Sequence, residues 1–157
     1  MRIGLGSDAH PFADGRPLRL GGVEIPYDRG LSGHSDGDAL LHAVADAVLG
    51  ACGRGSLGEH FPDGAEEWRD ADSSGLLRRV AAIARESGYR IGNLDAVVVA
   101  ETPRLSPHAG AIRQKLAELL DSDPGRVSVR GTSSNHLGFT GRGEGIAAFA
   151  VVLLEET

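Results

Sequence analysis

Apolar residues recur with two periods along this chain, and each period predicts a different kind of element. Short runs rich in β-branched residues predict strands, whereas Leu, Val and Ile on one face of a helical repeat predict helices. The predicted strands are residues 2–7, 94–100, 126–131 and the C-terminal run GIAAFAVVLLEE. The predicted helices are residues 36–50, 74–87 and about 108–120.

Turn and capping residues separate these elements. Gly21–Gly22 stands between two strand-like runs and predicts a hairpin, because such tight turns need positive φ. Ser35 or Asp36 is the expected N-cap of the first helix. Residues 53–72 are rich in Gly, Asp and Glu, and they predict a loop with one helical turn.

The order of the elements predicts the fold class. Helices between strands are typical of an α/β layered structure, and here they would cover one face of the sheet. No helix is left for the second face, so we expect self-association to bury it. No repeat or linker divides the chain, and residues 1–157 are expected to form a single domain.

The composition of the chain argues against some classes of function. The net charge of −6 argues against generic nucleic-acid binding, although a phosphorylated small molecule needs only local positive charge. Cys52 is the single cysteine and can form no intramolecular disulfide. No signal peptide is recognisable, and no apolar run approaches the ~18 residues of a membrane span. These features predict a soluble, cytoplasmic protein with no membrane partner.

Three metal-type side chains fall in two stretches, with Asp8 and His10 in RIGLGSDAH and His42 in HSDGDALLHAVADAVLG. An Asp-x-His in a strand directs both side chains to one face, because strand side chains alternate. A His on a neighbouring helix can add a third ligand, and three such ligands leave a position open, as in catalytic Zn²⁺ sites. Spacing alone does not join the two stretches, so separate polar residues remain an alternative.

The first predicted helix carries further polar candidates. Asp38, His42 and Asp46 are spaced at i, i+4 and i+8 and share one helix face. Either an acidic neighbour orients the second ring nitrogen of a metal-bound His42, or the three residues line a solvated face. His34 and Ser35 precede the helix, where free N–H groups suit an anion, but an ordinary capped loop is equally compatible.

The Gly-rich segment TSSNHLGFTGRGEG is a second candidate site. Thr132 and Ser133 present hydroxyl groups, and Arg142 stands among glycines that suit phosphate oxygens. The motif fits neither a P-loop nor a dinucleotide fingerprint, and a plain turn explains it equally well. Asp63 and Arg104 also have ordinary explanations, as a turn residue and a solvated charge.

Several stretches of the sequence, taken together in their order along the chain, resemble one protein family, although no single stretch is sufficient to indicate it. They are SDAHPF, GGVEIPYDRGLSGHSDGDALLHAVADAVLGA, FPD, AETPRLSPH and LGFTGRGEGIA. Over nearly its whole length the chain resembles the 2-C-methyl-D-erythritol 2,4-cyclodiphosphate synthases of the non-mevalonate isoprenoid pathway. HSDGD with the following His, and GFTGRGEG, are the most specific of these motifs.

The resemblance implies a homotrimer with active sites between adjacent subunits. Each subunit would be an α/β (α+β) sandwich with a mixed sheet, helices on one face, and the other face packed about a threefold axis. The implied reaction converts 4-diphosphocytidyl-2-C-methyl-D-erythritol 2-phosphate to 2-C-methyl-D-erythritol 2,4-cyclodiphosphate and releases CMP. An isoprenoid diphosphate in the central cavity is a further candidate ligand.

The resemblance also assigns roles by position. Asp8, His10 and His42 match the zinc ligands, and Thr132 and Ser133 match catalytic hydroxyls that orient phosphate. The matching substrate-binding positions are Asp8, His10, His34, Ser35, Ser56, Asp63, Ala100, Arg104, Leu105, Thr132, Ser133, Phe139 and Arg142.

Those positions divide by the part of the substrate they would contact. His34 and Ser35 match phosphate- and substrate-contacting positions, and Asp63 matches a residue that holds the erythritol hydroxyls. Ala100, Leu105 and residues 131–133 match the cytidine side.

Five positions depart from the family pattern, and one of them is Ser133, which replaces the more usual Thr. Arg104 replaces the usual Lys, and Ser56 replaces an Asp that binds substrate hydroxyls. Asn135 replaces a Glu that binds a second ion, Mg²⁺ or Mn²⁺, and His136 replaces a Lys. An amide oxygen ligates without charge, so the second ion is expected to bind weakly. Arg142 belongs to a signature loop near the threefold axis, where anions can bind.

Three functional hypotheses follow from these features. The first is an active cyclodiphosphate synthase. The second is a slow or non-catalytic homologue that binds nucleotide or isoprenoid diphosphate, as the departures suggest. The third is a metal-dependent phosphatase that uses the same zinc ligands.

Overall fold

The structure is a computed structural model, and it describes residues 1–62, 65–69 and 71–157. Its strands are β1 (Arg2–Ala13), β2 (Leu18–Leu20), β3 (Val23–Ile25), β4 (Gly30–Leu31), β5 (Tyr89–Val99), β6 (Val127–Thr132) and β7 (Gly145–Glu156). Its α-helices are α1 (Ala39–Cys52), α2 (Leu57–His60), α3 (Ser73–Glu86), α4 (Ala109–Leu120) and α5 (Gly138–Gly141). Short 3₁₀ helices lie at Glu66–Trp68 and Pro124–Arg126.

The main sheet is mixed and has the strand order β4–β1–β7–β5–β6. β1 and β5 both pair antiparallel with β7, and β5 pairs parallel with β6. β2 and β3 form a separate hairpin whose two turn glycines, Gly21 and Gly22, have φ of 63° and 77°. This hairpin, the mixed sheet and the predicted α/β class are therefore confirmed.

The long strand β1 packs directly against helix α1, and two glycines permit the close approach. A Cβ atom at Gly4 would overlap the carbonyl oxygen of Ala47, and one at Gly6 would overlap that of Ala43. The core around this contact is aliphatic, with side chains such as Leu40, Val44 and Ile146 fully buried. Because side chains alternate along a strand, this packing also brings Asp8 and His10 to the face that α1 covers.

Gly4→Ala should lower the free energy of unfolding by about 3 kcal/mol, because the backbone of α1 must move away to admit the methyl group. Gly50→Ala is the matched control, since its new Cβ would meet open space and alanine favours a helix by up to ~1 kcal/mol. Urea unfolding followed by circular dichroism measures both variants. Equal stability of the two would contradict the close contact between β1 and α1.

The predicted elements differ from the structure mainly at their ends. β1 continues to Ala13 rather than ending at residue 7, because it pairs with β7 as far as Pro11 and with β4 at Phe12 and Ala13. Asp38, not Ser35 or Asp36, caps α1 by accepting a hydrogen bond from the N–H of Leu41. The predicted loop 53–72 contains α2 and a 3₁₀ helix, which is more than the one turn expected.

The helices cover one face of the sheet, and the opposite face is apolar and open. Ile3 and Leu5 on β1 are 72% and 69% exposed, and Phe149 and Val151 on β7 are 46% and 45% exposed. Leu5 pairs with Val151, so these side chains form one continuous patch. Within the described residues, none of the helices has the length and hydrophobicity needed to cross a membrane.

Candidate metal centre and adjoining clefts

Asp8, His10 and His42 meet in space and form a compact set of metal-type ligands. Asp8 Oδ2 lies 2.7 Å from His10 Nε2 and 3.0 Å from His42 Nδ1. The two ring nitrogens lie 3.2 Å apart. The prediction that an Asp-x-His strand and a helical His form one cluster is therefore confirmed, although the two stretches lie 34 residues apart.

The separations suit one metal ion. Tetrahedral coordination with bonds of about 2.0–2.1 Å places ligand atoms roughly 3.3 Å apart. The observed distances of 2.7–3.2 Å approach this value. His10 Nδ1 lies 2.6 Å from the carbonyl oxygen of Ser32, so this nitrogen donates and Nε2 keeps its lone pair for a cation. The residues present thus fit a divalent metal ion.

Electrostatics in the metal-free cluster also favour a positive partner for Asp8. Burial acts to raise the pKa of Asp8, but hydrogen bonds with His10 and His42 outweigh it and lower the pKa to about 2. The hydrogen bond with Asp8 raises the pKa of His10 above its ordinary value, against the effect of burial. The carboxylate therefore stays ionised and can serve as an anionic ligand.

The second ring nitrogen of His42 points away from the cluster and towards two hydroxyl groups. His42 Nε2 lies 2.9 Å from Ser73 Oγ and 3.1 Å from Ser35 Oγ. Neither Asp38 nor Asp46, the helix acids suggested for this role, contacts that nitrogen, although Asp46 lines the same cleft. Asp46 accepts the N–H of Leu57 at 2.6 Å and so fixes the start of α2.

Asp38 is wholly buried and has a structural role. Its carboxylate accepts backbone N–H groups from Gly21, Gly22 and Leu41 at 2.8–3.0 Å, which ties the β2–β3 turn to the start of α1. Burial raises the pKa of Asp38, although these donors oppose the rise. Its interpretation as a neighbour that orients His42 is therefore wrong, and so is its placement on a solvated face.

The metal cluster lines a cleft of about 280 Å³. His34 and Ser35 also line it, as do Leu57 and Gly58 of α2. Arg16 stabilises the loop of residues 33–35, because its guanidinium donates to the carbonyl oxygens of Gly33 and Ser35 at 3.0 and 2.5 Å. The structure therefore places His34 and Ser35 beside the metal ligands.

A second cleft of about 370 Å³ lies at the ends of β5 and β6. Its walls include five positions singled out in the sequence: Ala100, Arg104, Leu105, Thr132 and Ser133. Among the described residues, the two clefts share no lining residue. One chain therefore brings the predicted site residues into two separate groups.

Arg104 and Ser133 line the second cleft, and the other three departures from the family pattern, Ser56, Asn135 and His136, lie beside residues that line the two clefts. Ser56 caps α2, and its hydroxyl donates to Glu59 Oε1 at 3.1 Å. Asn135 and His136 both have positive φ, 53° and 64°. The N–H of Asn135 donates to Ser133 Oγ at 3.3 Å, so Asn135 is adjacent to the second cleft.

The remaining predicted residues lie outside both groups. Arg142 pairs with Glu144, with its Nε 2.7 Å from Oε1, and Phe139 is 42% exposed in the adjoining helix α5. Neither is among the described residues that line the two clefts. Asp63 lies outside the described residues.

Sequence reasoning missed Ser73 and Asp36. Ser73 Oγ donates to Asp36 Oδ1 at 2.5 Å while lying 2.9 Å from His42. The sequence signals are a Ser at the start of a predicted helix, which is typical of capping, and the place of Asp36 in the motif HSDGD. Neither indicates a neighbour of the metal cluster.

The chain is similar in sequence to known proteins over nearly its whole length. The YgbB family matches residues 1–155. The 2-C-methyl-D-erythritol 2,4-cyclodiphosphate synthase of Halalkalibacterium halodurans is 53% identical over 154 residues, which cover 98% of each chain. The enzyme of the same name from Geobacillus kaustophilus is 54% identical and covers 100% of this chain and 99% of that relative.

Solved structures show the same fold. A 2C-methyl-D-erythritol-2,4-cyclodiphosphate synthase in its CDP-bound form has a TM-score of 0.90 and 36% identity, covering 98% of this chain and 100% of that one. The bifunctional IspDF from Campylobacter jejuni has a TM-score of 0.96 and 40% identity over 99% of this chain. The match spans 42% of that longer protein.

Proposed function

Because the chain belongs to the YgbB family of 2-C-methyl-D-erythritol 2,4-cyclodiphosphate synthases, we propose that it catalyses that synthesis in the non-mevalonate isoprenoid pathway. The substrate is 4-diphosphocytidyl-2-C-methyl-D-erythritol 2-phosphate. Its 2-phosphate oxygen attacks the β-phosphorus, the bond from that phosphorus to the CMP oxygen breaks, and CMP leaves. The convergence of Asp8, His10 and His42 beside a cleft carries this proposal.

The metal ligands and their neighbours hold the diphosphate in place. Asp8, His10 and His42 would hold Zn²⁺, which when bound supplies a Lewis acid for the β-phosphate. His34 and Ser35 orient the phosphate, since both line the same cleft. Much of the acceleration then comes from positioning, because the nucleophile already belongs to the substrate.

The second cleft would bind the CMP end of the substrate. Ala100 and Leu105 contact the cytidine, and Arg104 pairs with phosphate. Thr132 and Ser133 act as the catalytic hydroxyls that orient the diphosphate. Asn135 offers one uncharged ligand to Mg²⁺ or Mn²⁺, so that ion binds weakly.

A homotrimer would join the two clefts, and we propose that active sites lie between adjacent subunits. The open apolar patch of Ile3, Leu5, Phe149 and Val151 is unusual for a monomer surface and is suited to packing around a threefold axis. A metal cleft of one subunit then faces the cytidine cleft of the next. Phe139 and Arg142 line the axis, where an isoprenoid diphosphate can bind through apolar and ionic contacts.

Residues 1–157 act as one domain in this proposal, and the reaction takes place in the cytoplasm. The free Cys52 supports a reducing compartment.

A slow or non-catalytic homologue is the second candidate, and Ser56 and Asn135 favour it. The Ser56 hydroxyl is already engaged with Glu59, and Asn135 lacks the charge of a carboxylate ligand. Ser56→Asp together with Asn135→Glu should raise turnover sharply if this candidate is correct. No gain would count against it.

The decisive experiment measures CMP and cyclic diphosphate from the substrate, with zinc-loaded protein and a titration of Mg²⁺ or Mn²⁺. Formation of both products in equal amounts supports the synthase. Substrate binding without CMP supports the slow homologue. Release of inorganic phosphate in place of CMP supports a metal-dependent phosphatase.

A further inference from the structure

We propose that Ser73 and Asp36 are positioning residues that fix which ring nitrogen of His42 faces the metal. This inference rests on the metal site of the proposed function and adds two residues to it. Both lie outside the ligand triad, and Ser73 is 1% exposed.

The hydrogen bonds at Asp36 determine which group donates in each of the hydrogen bonds that link Asp36, Ser73 and His42. The side chain of Asp36 accepts the hydroxyl of Ser73 at 2.5 Å and the backbone N–H groups of Ser73 and Asp38 at 3.1 Å each. A hydroxyl carries one hydrogen, so the Ser73 hydrogen is committed to Asp36. Ser73 Oγ is then left to accept a hydrogen bond.

The consequence for His42 follows from its two nitrogens. Ser73 Oγ lies 2.9 Å from His42 Nε2, so Nε2 carries the hydrogen and donates it. In a neutral imidazole the other nitrogen, Nδ1, then has a free lone pair. Nδ1 is the atom that lies 3.0 Å from Asp8 Oδ2, so the lone pair points into the metal cluster.

The placement of Ser73 comes from helix packing. Asp72 caps α3 by accepting the N–H of Ser74 at 2.9 Å, and this sets Ser73 as the first residue of the helix. α3 packs beside α1, which carries His42 in its first turn. Ser35 Oγ lies 3.1 Å from the same nitrogen, and Ser73 Oγ is nearer and is oriented by Asp36.

The test measures Zn²⁺ affinity by competition with a chelator, so it does not depend on turnover. Ser73→Ala and Asp36→Ala should each weaken affinity about 10- to 100-fold, as loss of an outer partner of a metal-bound His does. The double variant should be within about twofold of Ser73→Ala, because the two residues act in series. Ser74→Ala is the matched control, since it removes a buried hydroxyl that lies beside Gly22 from the same turn.

A second measurement needs no variant and remains informative if Ser73→Ala fails to fold. A long-range ¹H–¹⁵N spectrum of the zinc-loaded natural protein should show hydrogen on His42 Nε2. Hydrogen on Nδ1 would overturn the inference. So would wild-type affinity in Ser73→Ala or in Asp36→Ala, or losses that multiply in the double variant. If His42→Ala itself binds Zn²⁺ normally, the metal site of the proposed function fails instead.

Discussion

His42→Ala should abolish turnover and remove the bound zinc while leaving the chain folded. His42 supplies one of three ligand atoms that lie within 3.2 Å of one another, and its side chain lies in a cleft rather than in the core. A metal ion contributes several kcal/mol to stabilising charge on a transferring phosphoryl group. We therefore expect CMP release to fall by at least ~10³-fold, since each tenfold corresponds to about 1.4 kcal/mol.

The measurements are zinc content per chain, CMP release and mass in solution. His108→Ala is the matched control, because His108 precedes α4 and makes no side-chain capping bond. The control should keep one zinc per chain and normal turnover. Full activity in zinc-free His42→Ala would show that the cluster is not the metal site of the reaction.

Charge on the open sheet face should separate the subunits. Leu5 and Val151 are paired neighbours on β1 and β7, and both are exposed in a single chain. Leu5→Glu with Val151→Glu places like charges in what we propose to be a subunit interface, where their desolvation is costly. We expect the mass to fall from three chains to one, and CMP release to fall at least ~100-fold because the two clefts no longer meet.

Zinc affinity distinguishes this result from simple unfolding. Asp8, His10 and His42 come from one chain, so the separated subunit should still bind zinc. Gln114→Glu is the control, since it adds charge to the exposed side of α4. Analytical ultracentrifugation gives the mass. A fully active double variant that stays trimeric would contradict the proposed interface.

Some features of the fold were predictable because they depend on local sequence. The apolar spacing in α1, α3 and α4 predicted each helix to within a few residues at either end. Strand ends were less accurate, because pairing with another strand decides where a strand stops. β1 extends to Ala13 for this reason, and the local sequence of β1 does not indicate that β7 and β4 pair with it.

The candidate site also has some features that the sequence predicted and others that it did not. Period-2 alternation was enough to put Asp8 and His10 on one face of a strand. The resemblance to a known family supplied the grouping of Ala100, Arg104 and Thr132, which line one cleft in the structure. The acidic partner suggested for His42 was wrong, because hydrogen bonding to Nε2 depends on where α3 lies and not on spacing along α1.

The sequence by itself therefore determined the element types, the α/β class, the ligand candidates and the family resemblance, since these depend on residue identity and short-range order. Only the tertiary structure decided that His42 joins Asp8 and His10, because that meeting requires β1 to approach α1 across Gly4 and Gly6. The tertiary structure also decided that Ser73 forms a hydrogen bond with His42, which lies 31 residues away along the chain. Contacts of this kind arise from the packing of whole elements, which the spacing of residues within one element does not specify.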